Sequence, residues 1–262
     1  MPPTLIFGVM SMQQHLFRRR RAVLGIGTAI VGPGLVLAAR PQLTFSTGAT
    51  PPLTAAAGQP GFAESLLRWA FDRIGYDIGV VSMTLERSLI NADSGVHDGD
   101  LIAGPAREVE YPNLLRVPEK LLDFDIVGYT GRTDVQARDW VELVRHRVGY
   151  LTGWKAVEQN LQPAQSAVAA RDVDQLVQLL ANDRVDVVLG NRWNNITQTA
   201  RRMGITVRRL EPPLRQIPMF TYLNRRHQAL VPPLATALAE AKRSGQWQRL
   251  YEQILLPLES GR

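Results

Sequence analysis

One arrangement occurs twice in this chain and restricts what it can fold into. A helix-like run ends in a short polar turn, passes through Val and Asp, and enters a short apolar strand that closes on Gly. The first copy is residues 85–104, LERSLINADSGVHDGDLIAG, and the second is residues 173–190, VDQLVQLLANDRVDVVLG. A helical apolar period followed by a short apolar strand is the pattern of an α/β unit, and in such sheets ligands collect at the C-terminal ends of strands. Two copies far apart predict two lobes with a cleft between them. That favours a binding protein over a single-site enzyme.

The segments between these copies follow the same alternation. Leu43–Thr47 is a predicted strand, and residues 48–60, rich in Gly, Ala and Pro, form a loop. Phe62, Leu66, Leu67, Ala70, Phe71 and Ile74 recur at helical spacing, and Gly75 is placed to end that helix. Ile78–Val81, Leu101–Ala103, Leu114–Val117 and Phe124–Tyr129 are extended. Helices are predicted over Asp134–Val144, Trp154–Leu161, Val173–Leu180 and Ile196–Met203, with strands at Arg147–Tyr150, Ser166–Ala169 and Val185–Leu189. Pro218–Leu223 is a return strand, and two helices near Leu230–Lys242 and Trp247–Leu255 close the chain. A chain that leaves one lobe near Tyr129 and returns near Phe220 makes that lobe discontinuous. The expected division is residues 42–127 and 221–262 for the first lobe and 128–220 for the second, with two crossovers as the hinge.

Charge and composition narrow the function. A length of 262 residues allows one large or two modest domains. The net charge of +6 suggests a nucleic-acid partner until its location is considered: residues 1–39 hold four Arg and no acid, and without them the charge is +2. The remainder is mixed in sign, so no nucleic-acid partner is expected. Arg18–Arg21 precede the uncharged run Ala22–Ala39, AVLGIGTAIVGPGLVLAA. A basic segment, an apolar segment and small residues at its end fit a secretory signal peptide over residues 1–39. Arg20-Arg21-Ala22 loosely resembles a twin-arginine signal, and the Sec route fits as well. The alternative is an uncleaved anchor, but the run is about one bilayer crossing long at best and Gly32-Pro33-Gly34 breaks it. The expected location is therefore the periplasm, with a mature chain not embedded in the membrane. The absence of Cys excludes disulfides, thiol catalysis and Cys–zinc sites. His15, His97, His146 and His227 are scattered without metal-ligand spacing. Neither a metal nor a cofactor is expected.

Several stretches together resemble one family. They are Glu86-Arg87-Ser88-Leu89, Asn91 to Leu101 (NADSGVHDGDL), Tyr111–Glu119 (YPNLLRVPE), His146–Trp154 (HRVGYLTGW), residues 174–190 and Tyr222–Leu230 (YLNRRHQAL). In this order they resemble a divergent branch of the bacterial extracellular solute-binding proteins of family 3, the type 2 periplasmic receptors of ABC transporters. The resemblance implies an α/β, two-lobed clamshell, a small-molecule ligand in its cleft, a monomer, and an ABC transporter permease as partner. In that family a Thr-x-x-Arg segment holds the ligand carboxylate and an Asp after a second-lobe strand holds the amino group. Here Arg107, in Gly104-Pro105-Ala106-Arg107, stands only approximately in the first place, and Asn191 stands in the second. A neutral amide accepts a hydrogen bond but does not pair with an ammonium charge as a carboxylate does.

The candidate ligand-binding residues are Arg107, Thr152, Gly153, Trp154, Asn191, Arg192 and Trp193. Thr152-Gly153-Trp154 sits where a strand turns into a helix, and exposed N–H groups there suit an anion; the alternative is an ordinary tight turn with Trp154 packed on its lobe. Asn191, Arg192 and Trp193 follow the second-copy strand; the alternative is a capping Asn and a solvated Arg. Arg107 is a possible carboxylate fork or a solvent-facing loop residue. Asp98 and Asp100 flank Gly99 and are read as turn residues. No catalytic set is expected. The leading expectation is a non-catalytic receptor for a small polar, amino acid-like or organic anionic solute. A dehydratase-like enzyme on the same scaffold, using Glu86 or Asp100, and a sensor or accessory protein without small-ligand binding stay open beside it.

Overall fold

The computed structural model describes residues 39–56, 58–162, 164 and 166–259. Apart from Ala39, the expected leader over residues 1–39 lies outside them. The first elements are β1 (Gln42–Thr47), α1 (Phe62–Arg73), β2 (Asp77–Ser82), α2 (Leu85–Asp93), β3 (Gly99–Ala103), α3 (Arg107–Glu110) and β4 (Leu114–Arg116). The long strand β5 (Leu122–Thr130) leads into α4 (Trp140–Leu143), β6 (Arg147–Leu151), α5 (Lys155–Leu161), β7 (Ser166–Ala170), α6 (Val173–Ala181), β8 (Val187–Asn191), α7 (Ile196–Arg202) and β9 (Arg208–Arg209). The second long strand, β10 (Arg215–Asn224), precedes α8 (Val231–Arg243), α9 (Gln246–Leu250) and α10 (Leu256–Glu259).

The strands run in the order β2-β1-β3-β10-β5-β8-β6-β7, with β4 on β10 and β9 on β5. β1 pairs in parallel with β2 and β3, and β6 in parallel with β7 and β8. β5 and β10 run antiparallel to their neighbours on both sides, and they join the two parallel halves through a ladder from Arg215↔Ile126 to Met219↔Leu122. The result is a two-lobed α/β architecture with the paired long strands as its hinge.

Local sequence explains the elements. In α1 the residues at helical spacing, Phe62, Leu66, Leu67, Ala70 and Phe71, are all buried. They share a core with Phe45 of β1 and with Leu234 and Leu238 of α8. Each large side chain removed from water there contributes about 1.5–3 kcal/mol. Asp172 caps α6 by accepting the Gln175 N–H at 2.8 Å. In β8 the continuous apolar run is buried on both faces: Val187 and Leu189 pack on the α5 side, and Val188 packs with Val177 of α6 and Ala200 of α7.

Some expected boundaries move. The helix predicted over Asp134–Val144 is confined to Trp140–Leu143. Asp139 caps it by accepting the Glu142 N–H, while Val135 and Ala137 are buried as separate pegs. The second-copy strand starts at Val187, because Asp186 is drawn to the Arg147 guanidinium and backbone N–H. Asp100 lies inside β3 and is fully buried, so it is not a turn residue. The segment after Gly104 forms the short helix α3, which the sequence pattern did not announce.

Candidate functional site

Strand direction and register place the ends of the two repeated units opposite each other. β3 runs antiparallel to β10 and ends where Ala103 meets Phe220. β8 runs antiparallel to β5, hence in the direction of β10, and ends where Asn191 meets Ile126, itself opposite Arg215. The two strands therefore run toward each other. Along β10 their ends are separated by the stretch from Arg215 to Phe220, roughly 17 Å at the usual rise per residue.

The floor between these ends is one face of the hinge ladder. Phe124 of β5 lies opposite Ile217 of β10, so their side chains share a face, and Asp125 with Gln216 takes the other. Trp154 stands edge-on to Phe124 with ring centroids 6.2 Å apart, and Trp193 does so at 6.1 Å. Arg107 approaches from the first lobe: a β-carbon built on Gly104 would lie 3.4 Å from Ile217 Cγ2 and 3.7 Å from Arg107 Nη2. The structure thus brings Arg107, Trp154 and Trp193 around the Phe124–Ile217 pair.

Arg107 begins α3, directly after Ala106 in a left-handed conformation with φ 62°. Such a backbone is unfavourable for a residue with a β-carbon and is retained where the surroundings enforce it. Arg107 makes no ion pair among the described residues, and its Nε is buried without a hydrogen-bond partner. Behind it lies Asp100, whose carboxyl is pushed up to about 7 by burial. The Ser88 hydroxyl, the Ile102 N–H and the charge of Arg107 pull it the other way. A guanidinium with unused donors beside an aromatic floor suits a carboxylate.

The second-lobe turn is arranged differently from expectation. Gly153 takes φ +85°, a conformation open to glycine, and its N–H donates to Glu158 Oε1 at 3.0 Å. The Thr152 hydroxyl and N–H both donate to the Ala170 carbonyl, at 3.1 and 2.9 Å. The expected anion pocket is therefore filled by a carboxylate of the protein itself. Trp154 is half-buried against Phe124.

Asn191, Arg192 and Trp193 are largely committed to holding the hinge. Asn191 Oδ1 accepts the Trp193 N–H at 2.8 Å, and its carbonyl accepts the Tyr129 hydroxyl at 3.0 Å. Arg192, expected in the cleft, instead grips the Asp125 carboxylate and stands 3.5 Å from Glu211. Trp193 is 3% exposed, and its indole N–H donates to Glu259 at 3.1 Å. Phe124, Ile217, Glu158 and Asp125 were not singled out in the sequence. The alternation Leu122-Asp123-Phe124-Asp125-Ile126 did carry a signal, because it marks a strand with one apolar and one acidic face.

No family model matches the chain. An uncharacterized protein of Shewanella oneidensis is 24% identical over 207 residues, covering 73% of this chain and 75% of that protein. Among solved structures, the GluR0 ligand-binding core in complex with L-glutamate superposes with a TM-score of 0.67 at 15% identity, covering 83% of this chain and 99% of that one. A probable amino-acid ABC transporter extracellular-binding protein of Bacillus subtilis gives 0.65 at 16% identity, with 83% and 98% covered. A histidine kinase sensor domain similar to periplasmic binding proteins gives 0.63 at 13% identity, with 83% and 96% covered. These likenesses show the fold: a two-lobed α/β fold of the type 2 periplasmic binding proteins. No helix among the described residues is long and apolar enough to cross a membrane.

Proposed function

We propose that the chain is a non-catalytic receptor that closes on a small carboxylate-bearing solute between its lobes. The observation that carries this reading is the unpaired Arg107 guanidinium beside the Phe124–Ile217 floor. Arg107 forks to the ligand carboxylate, Trp154 covers the apolar part, and the second lobe closes with Asn191 and the Thr152-Gly153 turn, whose Gly153 N–H has to leave Glu158 before it can meet a ligand. Because Asn191 carries no charge, an organic anion or a weakly held amino acid-like molecule suits the site better than a ligand that depends on its ammonium group. Residues 42–127 and 221–262 form the first lobe and 128–220 the second. Closure stabilised by contacts from both sides is the signal that a partner reads. With the leader at residues 1–39, the chain works in the periplasm and delivers its ligand to an ABC permease. The likeness to a transporter binding protein and to a glutamate-bound core supports this reading.

A thermal-shift screen of amino acids and organic acids tests it. A carboxylate that raises the melting temperature in the wild-type chain but not in Arg107→Ala supports the receptor. Silence across the screen favours a sensor or accessory role, the reading that the histidine kinase sensor neighbour supports. The enzyme reading is weakened by Asp100, which has no exposed surface with which to meet a substrate.

A further inference from the structure

Trp193 belongs to the turn after β8, in the half of the sheet built from β5, β8, β6 and β7. Its side chain is nonetheless buried in the core of the other half, the one that α1 and α8 form over β1. The backbone end is fixed by Asn191, whose Oδ1 accepts the Trp193 N–H at 2.8 Å. The indole end is fixed by α10, where Glu259 Oε1 accepts the ring N–H at 3.1 Å. The residue therefore bridges the two halves and is tied at both ends.

The far end of the bridge is anchored as well. The same Glu259 oxygen accepts the Tyr251 hydroxyl. Tyr251 stacks on Trp247 with ring centroids 5.0 Å apart and meets Phe62 of α1 edge-on at 6.3 Å. Trp247 donates its indole N–H to the Leu121 carbonyl at 2.6 Å. Between α9 and α10 the chain makes a π-helical turn over Tyr251–Leu255. Such a turn takes up one extra residue, and Glu259 then lies on the face of Tyr251. Around this contact the two halves are not packed solid. Arg192 and Trp193 on one side and Trp247 on the other line a common cavity of about 450 Å³, so the turn after β8 has room to move once the bond to Glu259 is broken.

We propose that α10 is a strap that sets the angle between the two halves: through the Glu259–Trp193 bond it holds the turn after β8 against the C-terminal helices. The β5–β10 ribbon joins the halves but, as a twisted two-stranded element, allows a range of angles; the strap selects one of them. Trp193 also stands edge-on to Phe124 of the cleft floor at 6.1 Å, so strap and cleft meet at one side chain. This inference needs no occupant in the cleft and stands or falls apart from the carboxylate-receptor reading.

The test is an inter-lobe distance in the full chain without ligand. The sequence has no Cys, so spin labels can be placed at Val96→Cys in the first half and Val141→Cys in the second, both strongly exposed positions. Pulsed electron spin resonance then reads the distance between them. A single narrow distance is expected in this background. Trp193→Phe, which keeps a ring but loses the indole N–H, and Glu259→Ala should both shift or broaden it while the circular dichroism spectrum stays the same. Glu259→Ala, which leaves Trp193 in place, decides alone if Trp193→Phe fails to fold. The background distance retained in either folded variant overturns the proposal, because the bond then restrains nothing. Loss of the fold in both variants overturns it too, because the contact is then core packing and not a strap.

Discussion

The Gly153 amide donates to the Glu158 carboxylate at 3.0 Å, so the turn between β6 and α5 already carries a negative charge where an anionic ligand would meet it. An internal carboxylate competes with an external one through repulsion and through the occupied donor. Glu158→Ala should therefore tighten binding of small carboxylates about tenfold. Calorimetric titration of wild type and variant with the best carboxylate from the screen checks this. Equal affinities would remove the Gly153 amide from the site.

Arg107 gives the opposite case. It surrenders no ion pair on mutation, so Arg107→Ala should leave the ligand-free melting temperature nearly unchanged. Ligand binding should fall by about 1.5–3 kcal/mol, the range for hydrogen bonds to charged groups. Arg107→Lys keeps the charge but not the fork and should recover only part of the loss. Paired melting and titration curves separate the two effects.

Asp100 sets a slope of stability against pH. Burial raises its folded-state value to about 7, above its ordinary 3.8. Between these values the native state binds the proton more tightly than the unfolded chain does. The contribution is therefore fully present below about pH 4, falls as pH rises toward 7, and is flat above that. Asp100→Asn should flatten this part of the melting-temperature profile; an unchanged slope would place its origin elsewhere.

Asp186 acts in the other direction. The Arg147 guanidinium and backbone N–H hold its carboxyl down to about 2, against some burial. Its stabilisation is present above the ordinary carboxylate value of 3.8 and is lost as pH falls through about 2. Asp186→Asn should lower stability at neutral pH and make acid unfolding below pH 4 less steep. Denaturant melts at several acid pH values would show it.

Gly99 tests the junction of β3 and β10. A β-carbon there would lie 2.1 Å from the Tyr222 carbonyl oxygen and 2.7 Å from the Phe45 ring. Neither atom is a free side-chain end, so Gly99→Ala should cost about 1–3 kcal/mol through forced backbone shifts. Urea denaturation measures it, with Gly58→Ala as a comparison in which no atom stands within 4 Å, though φ is +78°.

Local rules explain which parts of this molecule could be read from the chain. The apolar period of α1, the cap of α6 and the buried run of β8 are properties of neighbouring residues, and the fold follows from their order. The site depends on partners far apart in sequence. Nothing near Trp193 reveals that Glu259 will accept its indole N–H, and nothing near Arg192 reveals Asp125. Glu158, five residues beyond Gly153, was close enough to be found. Its reach back to the turn is a capping geometry that charge spacing along the helix did not suggest.

β10 passes from one sheet into the other without ceasing to be a strand, and β5 accompanies it through the pairs from Arg215↔Ile126 to Met219↔Leu122. There is no slack segment at the crossing for a protease to enter or for the chain to swivel about. Any opening or closing has to twist a hydrogen-bonded ribbon. The joint then behaves as a torsion spring with a preferred angle, and a ligand that draws the lobes together at Arg107 has to twist this ladder to do so.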